Sequence, residues 1–129
     1  LIQIIAAVLG TLFANYIFGL NVIEISSNIR SGANIYISEF FAATGLLLVI
    51  LLSRADGKNI VSFNVGIYIT AALIFTSSTS FANPAVTIAR MFTESFTGIN
   101  PSTVIFFISC QVIGMFAAYI LYNQFFKSK

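Results

Sequence analysis

Thr76-Ser77-Ser78-Thr79-Ser80-Phe81-Ala82-Asn83-Pro84-Ala85-Val86-Thr87-Ile88-Ala89-Arg90 breaks an apolar chain with a run of hydroxyl residues and then restarts it as a helix. Asparagine is a favoured N-cap, and proline is favoured at the first helical position, where its missing N–H costs nothing. Asn83-Pro84 followed by Ala85-Val86-Thr87-Ile88 therefore predicts a helix start at Asn83. Its setting gives that start its meaning, because the surrounding chain reads as membrane-embedded.

Hydrophobic residues make up 58% of the chain and charged residues 8%, with a mean hydropathy of +0.97. In soluble domains roughly a quarter of residues are charged. Six basic residues, scattered along the chain, give a net charge of +2. They form no basic patch, which excludes a nucleic-acid surface. Histidine is absent, and the four acids Glu24, Glu39, Asp56 and Glu94 are widely spaced. No catalytic constellation, metal site or cofactor is expected. Cys110, the single cysteine, reads as a small buried hydrophobe.

Four apolar segments are predicted, over residues 1–20, 36–53, 60–76 and 102–125. Each approaches the roughly 20 residues that span a ~30 Å hydrocarbon core. The hydroxyl run is predicted to be unwound over 77–83. Residues 84–97 are predicted to form a half helix, too short to cross, with Gly98 as its C-terminal cap. Such a piece enters and leaves by the same face, and unwound backbone at that depth implies a cavity. Arg54 and Lys58 follow the second segment and Lys127 and Lys129 the fourth, whereas Arg30 stands alone in the first loop. This bias predicts a multi-pass inner-membrane protein with a cytoplasmic C-terminus, the half helix dipping in from outside. The apolar opening, Leu1-Ile2-Gln3-Ile4-Ile5-Ala6, reads as a fragment that begins inside a membrane helix.

Asn83-Pro84-Ala85, set between a hydroxyl-rich descent and a half helix, resembles the asparagine-proline-alanine signature of the aquaporin and glycerol-channel family. The likeness covers essentially the whole chain. The segment with Gln3 and Gly10 resembles that family's third membrane helix, the one with Glu39 its fourth, and the last two its fifth and sixth, with Gln111 and Gly114 in the sixth. The fold class implied is an all-α membrane protein, an aquaporin-like half with about four transmembrane helices plus a re-entrant half helix. Asn83-Pro84-Ala85-Val86-Thr87 is worded like the family's first motif, since the second usually has arginine after the alanine. A complete segment before the second one leaves one helix too many for an N-terminal half, so the C-terminal half of a bacterial member is the preferred assignment.

The resemblance implies partners and roles. A missing N-terminal half should carry a second such motif, and the assembly should be a homotetramer in a lipid bilayer that passes water and small neutral solutes. Asn83, Pro84 and Ala85 would form the pore motif, with the Asn83 amide donating to passing solute. The selectivity filter would fall at Ser80, three positions before the motif asparagine, at Val86 in place of the usual arginine, and near Ala71 in place of a histidine. Loss of a cationic fork at Val86 points beyond water, toward polyols or neutral metalloid acids. Arg90, two turns past Asn83, is a candidate vestibule charge, with pairing to Glu94 or snorkelling as the alternatives. Glu39 would support the re-entrant backbone. Gly10, Gly45, Gly66 and Gly114 read as close helix contacts. Two other classes stay open at this point, half of a secondary transporter and a non-conducting assembly subunit. An enzyme is not expected.

Overall fold

The first apolar segment forms helix α1, Ile2–Ile17, in the computed structural model, which describes residues 1–55 and 60–127. Its end is a Schellman closure, in which the Gly19 N–H donates to the Tyr16 carbonyl at 3.2 Å and the Leu20 N–H to the Asn15 carbonyl at 2.9 Å. Gly19 takes φ +69, a left-handed conformation that glycine adopts without a Cβ penalty. An irregular segment leads to α2, Ala33–Ala55, which starts three residues earlier and ends two later than the predicted 36–53. Helix α3 covers Val61–Phe75, α4 Pro84–Ala89 and α5 Pro101–Leu121. A 3₁₀ turn, Arg90–Phe92, extends α4, and a π-helical turn, Tyr122–Phe126, extends α5. Among the described residues every regular element is helical. Lys58 and Lys129, which contribute to the predicted orientation, lie outside the described residues.

Helix α4 with its 3₁₀ turn is shorter than the half helix predicted over 84–97. Helical geometry stops at Phe92, and Thr93 is extended with φ −142 and ψ 124. Gly98 therefore does not cap this helix. It closes a separate turn, donating to the Ser95 carbonyl at 2.9 Å. A Cβ at Gly98 would collide with the Thr93 carbonyl and the Ser26 hydroxyl, so close approach is the reason for glycine here.

Among the described residues two helices, Ala33–Ala55 and Pro101–Phe126, are long and apolar enough to cross a membrane, and Ile2–Ile17 and Val61–Phe75 are shorter apolar helices. The two long ones pack tightly because small residues meet at their crossing. Ala42, Ala43 and Ala118 are fully buried. A Cβ on Gly114 would lie 2.5 Å from the Phe40 carbonyl oxygen, so the backbones approach as only glycine permits. The Thr44 hydroxyl, back-bonded to the Phe40 carbonyl at 2.7 Å, also lies 3.1 Å from the Gly114 carbonyl. Helix α3 docks on α2 through Tyr68, whose hydroxyl donates to the Ala42 carbonyl at 2.9 Å and whose ring covers Gly45. Gly45 and Gly114 are thus close contacts. Gly10 and Gly66 face open space and make no such contact in this chain. Outward faces stay apolar, with Phe13, Phe63, Ile74, Ile113 and Phe116 exposed. The buried cluster sits at one end of the bundle, where Phe81, Ile99, Val104 and Phe107 meet.

Candidate functional site

The site is the break between α3 and α4. Thr76 leaves the helix with ψ 135, and its hydroxyl turns back to the Ala72 carbonyl at 2.6 Å. Thr79, Ser80 and Ala82 then take φ of +60, +44 and +49. Left-handed backbone costs a residue with a Cβ about 1–2 kcal/mol, so three such residues need strong restraint. Helix α2 supplies much of it. Its Asn34, Ser38 and Glu39 lie along one side of the first turns, where the Asn34 carbonyl accepts from Ser77 Oγ at 3.3 Å and Ser38 Oγ from the Ser78 N–H at 3.3 Å. Glu39 is fully buried and accepts from the backbone N–H groups of Phe81, at 3.3 Å, and Ala82.

Arg30 holds the same loop from the other direction. Its guanidinium donates to the carbonyls of Gly98 at 2.8 Å, Phe96 at 2.6 Å and Ser78 at 3.3 Å, and to Thr79 Oγ1 at 3.4 Å. One buried cation thus ties the chain before α4 to the chain after it. A second arginine, Arg90, stands with its guanidinium carbon 4.3 Å from the Phe81 ring centre, and that of Arg30 lies 5.0 Å from the same centre. Both cations gain from the negative face of the ring.

At the head of α4, Asn83 Oδ1 accepts from the Ala85 N–H at 2.8 Å and Pro84 occupies the first helical position. The same device starts α5, where Asn100 Oδ1 accepts from the Ser102 N–H at 3.0 Å. What separates the two is their setting. The Thr87 hydroxyl returns to the Asn83 carbonyl at 3.0 Å, and Gln111 of α5 donates both to Thr87 Oγ1 at 2.8 Å and to Glu39 at 2.7 Å. A continuous buried hydrogen-bond chain therefore runs from Glu39 through Gln111 and Thr87 to Asn83. Asn83 and Pro84 line a groove of about 350 Å³ together with Gln3, Ala43, Leu46, Leu47 and Met115.

The other predicted site residues are dispersed. Ser80 is buried, and its hydroxyl has no hydrogen-bond partner. Val86 is half-buried against the Phe81–Phe107 cluster. Ala71 is exposed on α3 and lines an open groove of about 610 Å³ with Ser62, Gly66 and Thr70. Ser80 and Val86 line neither this groove nor the second one that Ala71 lines, beside Tyr68. Arg90 is not paired with Glu94. The Glu94 carboxylate instead accepts from the hydroxyl and the backbone N–H of Ser27, which hold its pKa below the ordinary value. Arg90 lines a cavity of about 490 Å³, and its Nη1 is buried without a partner. Sequence reasoning missed Arg30, Phe81 and Thr87. Arg30 read as a loop charge, and only its isolation among apolar and hydroxyl residues hinted otherwise.

No protein-family model and no solved structure matches the chain. Among curated proteins, the aquaglyceroporin AqpS of Rhizobium meliloti (strain 1021) is 41% identical over 119 residues, which is 92% of this chain and 51% of that protein. The chain spans about half the length of the curated relative it matches.

Proposed function

Since the chain belongs to the aquaporin and glycerol-channel family, a family of channels and not of enzymes, we propose that it forms the C-terminal half of a passive channel for water and small uncharged solutes. The solutes are of the glycerol or neutral metalloid acid class, and protons and ions are excluded. In this reading α1, α2, α3 and α5 cross the bilayer, and α4 is re-entrant from the outer face. The complementary half brings a second asparagine-proline-alanine motif to the groove beside Asn83, in a homotetramer of the inner membrane with the C-terminus in the cytoplasm.

The observation that carries the reading is the Asn83-capped start of α4, held at the bottom of a strained loop by the Glu39–Gln111–Thr87 chain. A helix N-terminus presents unpaired N–H groups and about half a positive charge. Placed on a solute path, it repels cations, while the Asn83 amide offers a neutral solute a donor. Ala85, buried and small, leaves room for the partner half helix. Val86, an aliphatic residue, removes the charge from the usual filter position and favours solutes larger than water. Ser80 supplies a free hydroxyl near the motif, and Ala71 offers a small exposed side chain on α3 to the complementary half.

Stopped-flow light scattering of proteoliposomes carrying the intact protein tests this. Water and glycerol should equilibrate much faster than in empty vesicles, and Val86→Arg should depress glycerol flux more than water flux. Vesicles no more permeable than protein-free ones would exclude the channel.

A further inference from the structure

Helices α2 and α3 lie close where Tyr68 covers Gly45 and donates to the Ala42 carbonyl. Beyond that contact, toward the last turn of α2, a cavity of about 430 Å³ opens between them, with Val49, Leu52, Ile67 and Ala71 as aliphatic walls. Its polar lining comes from Ser53, Asn64 and Tyr68, and the Tyr68 hydroxyl is spent on Ala42. Ser53 is buried, and its hydroxyl accepts from Asn64 Nδ2 at 2.8 Å. That bond uses one of the four that a carboxamide can make. Asn64 is only partly buried, and among the described residues its Oδ1 makes no hydrogen bond. A polar side chain in an apolar helix is costly unless its hydrogen bonds are used, so an amide left three parts free beside a cavity calls for a ligand.

The place of Asn64 on α3 says which ligand. Asn64, Ile67 and Ala71 are spaced i, i+3 and i+7 and share one face of the helix. At roughly 1.5 Å per residue, Asn64 stands about 10 Å from Ala71 along the axis. In the reading above, Ala71 marks the filter level and α3 begins at the inner face, which puts Asn64 at the inner end of the same wall. A solute larger than water sheds part of its hydration between aliphatic walls, and each hydrogen bond left unreplaced raises the barrier. A carboxamide both donates and accepts, so it replaces the water around a hydroxyl, and being neutral it draws no ion.

We infer that Asn64 is a station for small neutral polyols at the inner end of the path, with Ser53 as the positioning residue that fixes its amide. The inference rests on the channel reading above and adds a specificity-determining residue remote from both the Asn83 motif and the filter positions.

The test uses the intact protein in proteoliposomes, with glycerol and water fluxes measured separately by stopped-flow light scattering. A neutral hydrogen bond corresponds to about fivefold in an equilibrium constant. Asn64→Leu should therefore lower glycerol flux by about that factor and leave water flux within about twofold. Asn64→Gln, which keeps the amide, should restore most of the glycerol flux, and Ser53→Ala, which frees the amide without removing it, should fall between. Asn64→Leu combined with Ser53→Ala leaves no orphaned hydroxyl and stands in if the single variant does not fold. Equal losses in Ser53→Ala and Asn64→Leu, with water falling alongside glycerol, would reduce the pair to a helix-helix contact and overturn the station. An unchanged glycerol-to-water ratio in Asn64→Leu overturns it too, while leaving the channel intact. Access is read separately with Asn64→Cys in a Cys110→Ala background, which removes the native thiol. A charged methanethiosulfonate should label that position and block flux, and glycerol should slow the labelling, whereas a thiol facing lipid or covered by the complementary half stays inert and refutes the station. Wild-type vesicles that pass neither water nor glycerol overturn the channel reading and the station with it.

Discussion

Replacing Glu39 by glutamine changes one oxygen to an NH2 group and removes one charge, at a cost set by the donors around it. The carboxylate serves three of them, with the Ala82 N–H and Gln111 Nε2 on one oxygen and the Phe81 N–H on the other at 3.3 Å. A glutamine that keeps its oxygen toward Ala82 and Gln111 turns its own N–H groups toward Phe81. One buried backbone N–H is then opposed by a donor, which costs about 1–3 kcal/mol, and the two surviving bonds lose their ionic character at about 1 kcal/mol each. Relief from burying a charge offsets part of this. The net expectation is about 2–3 kcal/mol. At roughly 2–4 °C per kcal/mol this corresponds to about 5–10 °C in melting temperature. The assay is thermal unfolding of the detergent-solubilised intact protein, with glycerol flux measured in parallel. Glu39→Ala, which abandons all three donors and opens a cavity, should lose at least twice as much and abolish flux. A Glu39→Gln protein melting within about 1 °C of wild type with normal flux would refute the idea that this carboxylate holds the loop.

Asn83→Ala removes the cap of α4 and should cost about 0.5–2 kcal/mol, read by thermal unfolding, whereas Asn83→Asp keeps an acceptor for the Ala85 N–H. The aspartate should therefore fold normally but weaken cation exclusion, read as increased sodium leak in vesicles. Gly98→Ala should destabilise by about 1–3 kcal/mol, because its methyl group meets the Thr93 carbonyl and the Ser26 hydroxyl, and unfolding measurements check this. Glu94 has a lowered pKa in the folded state through its Ser27 bonds, so its contribution is present above its ordinary value of 4.5 and lost as pH falls through the folded one. Ser27→Ala should flatten that part of the acid-unfolding profile.

The apolar helices and the Asn83-Pro84 start were legible in the chain because both are local signals. Hydropathy over a window locates a helix, and the Asn-Pro pair carries its own cap, as the Asn83 Oδ1 bond to the Ala85 N–H at 2.8 Å illustrates. The length of the half helix was not legible. Gly98 resembles a C-terminal cap on inspection, yet the helix stops at Phe92. The chain then runs extended so that Glu94 reaches Ser27, 67 residues away. Arg30 was hidden for the same reason, since its partners lie 48 to 68 residues along the chain. Glu39 was found only through resemblance, because nothing local in α2 announces that its carboxylate accepts from backbone 42 and 43 residues away. The arrangement of Ser80, Val86 and Ala71 depends on how three separate elements are placed, and spacing along the sequence holds no information about that.

If the Asn83-capped half helix stands on a path for neutral solutes that is closed to ions, solute flux and electric current must be separable. Planar bilayers containing the intact protein, placed under an osmotic glycerol gradient and voltage clamp, measure both at once. Rapid glycerol and water movement is expected, with no current above that of protein-free bilayers at any applied pH gradient. Current that rises with the solute flux, or that follows the proton gradient, would contradict a path closed to ions.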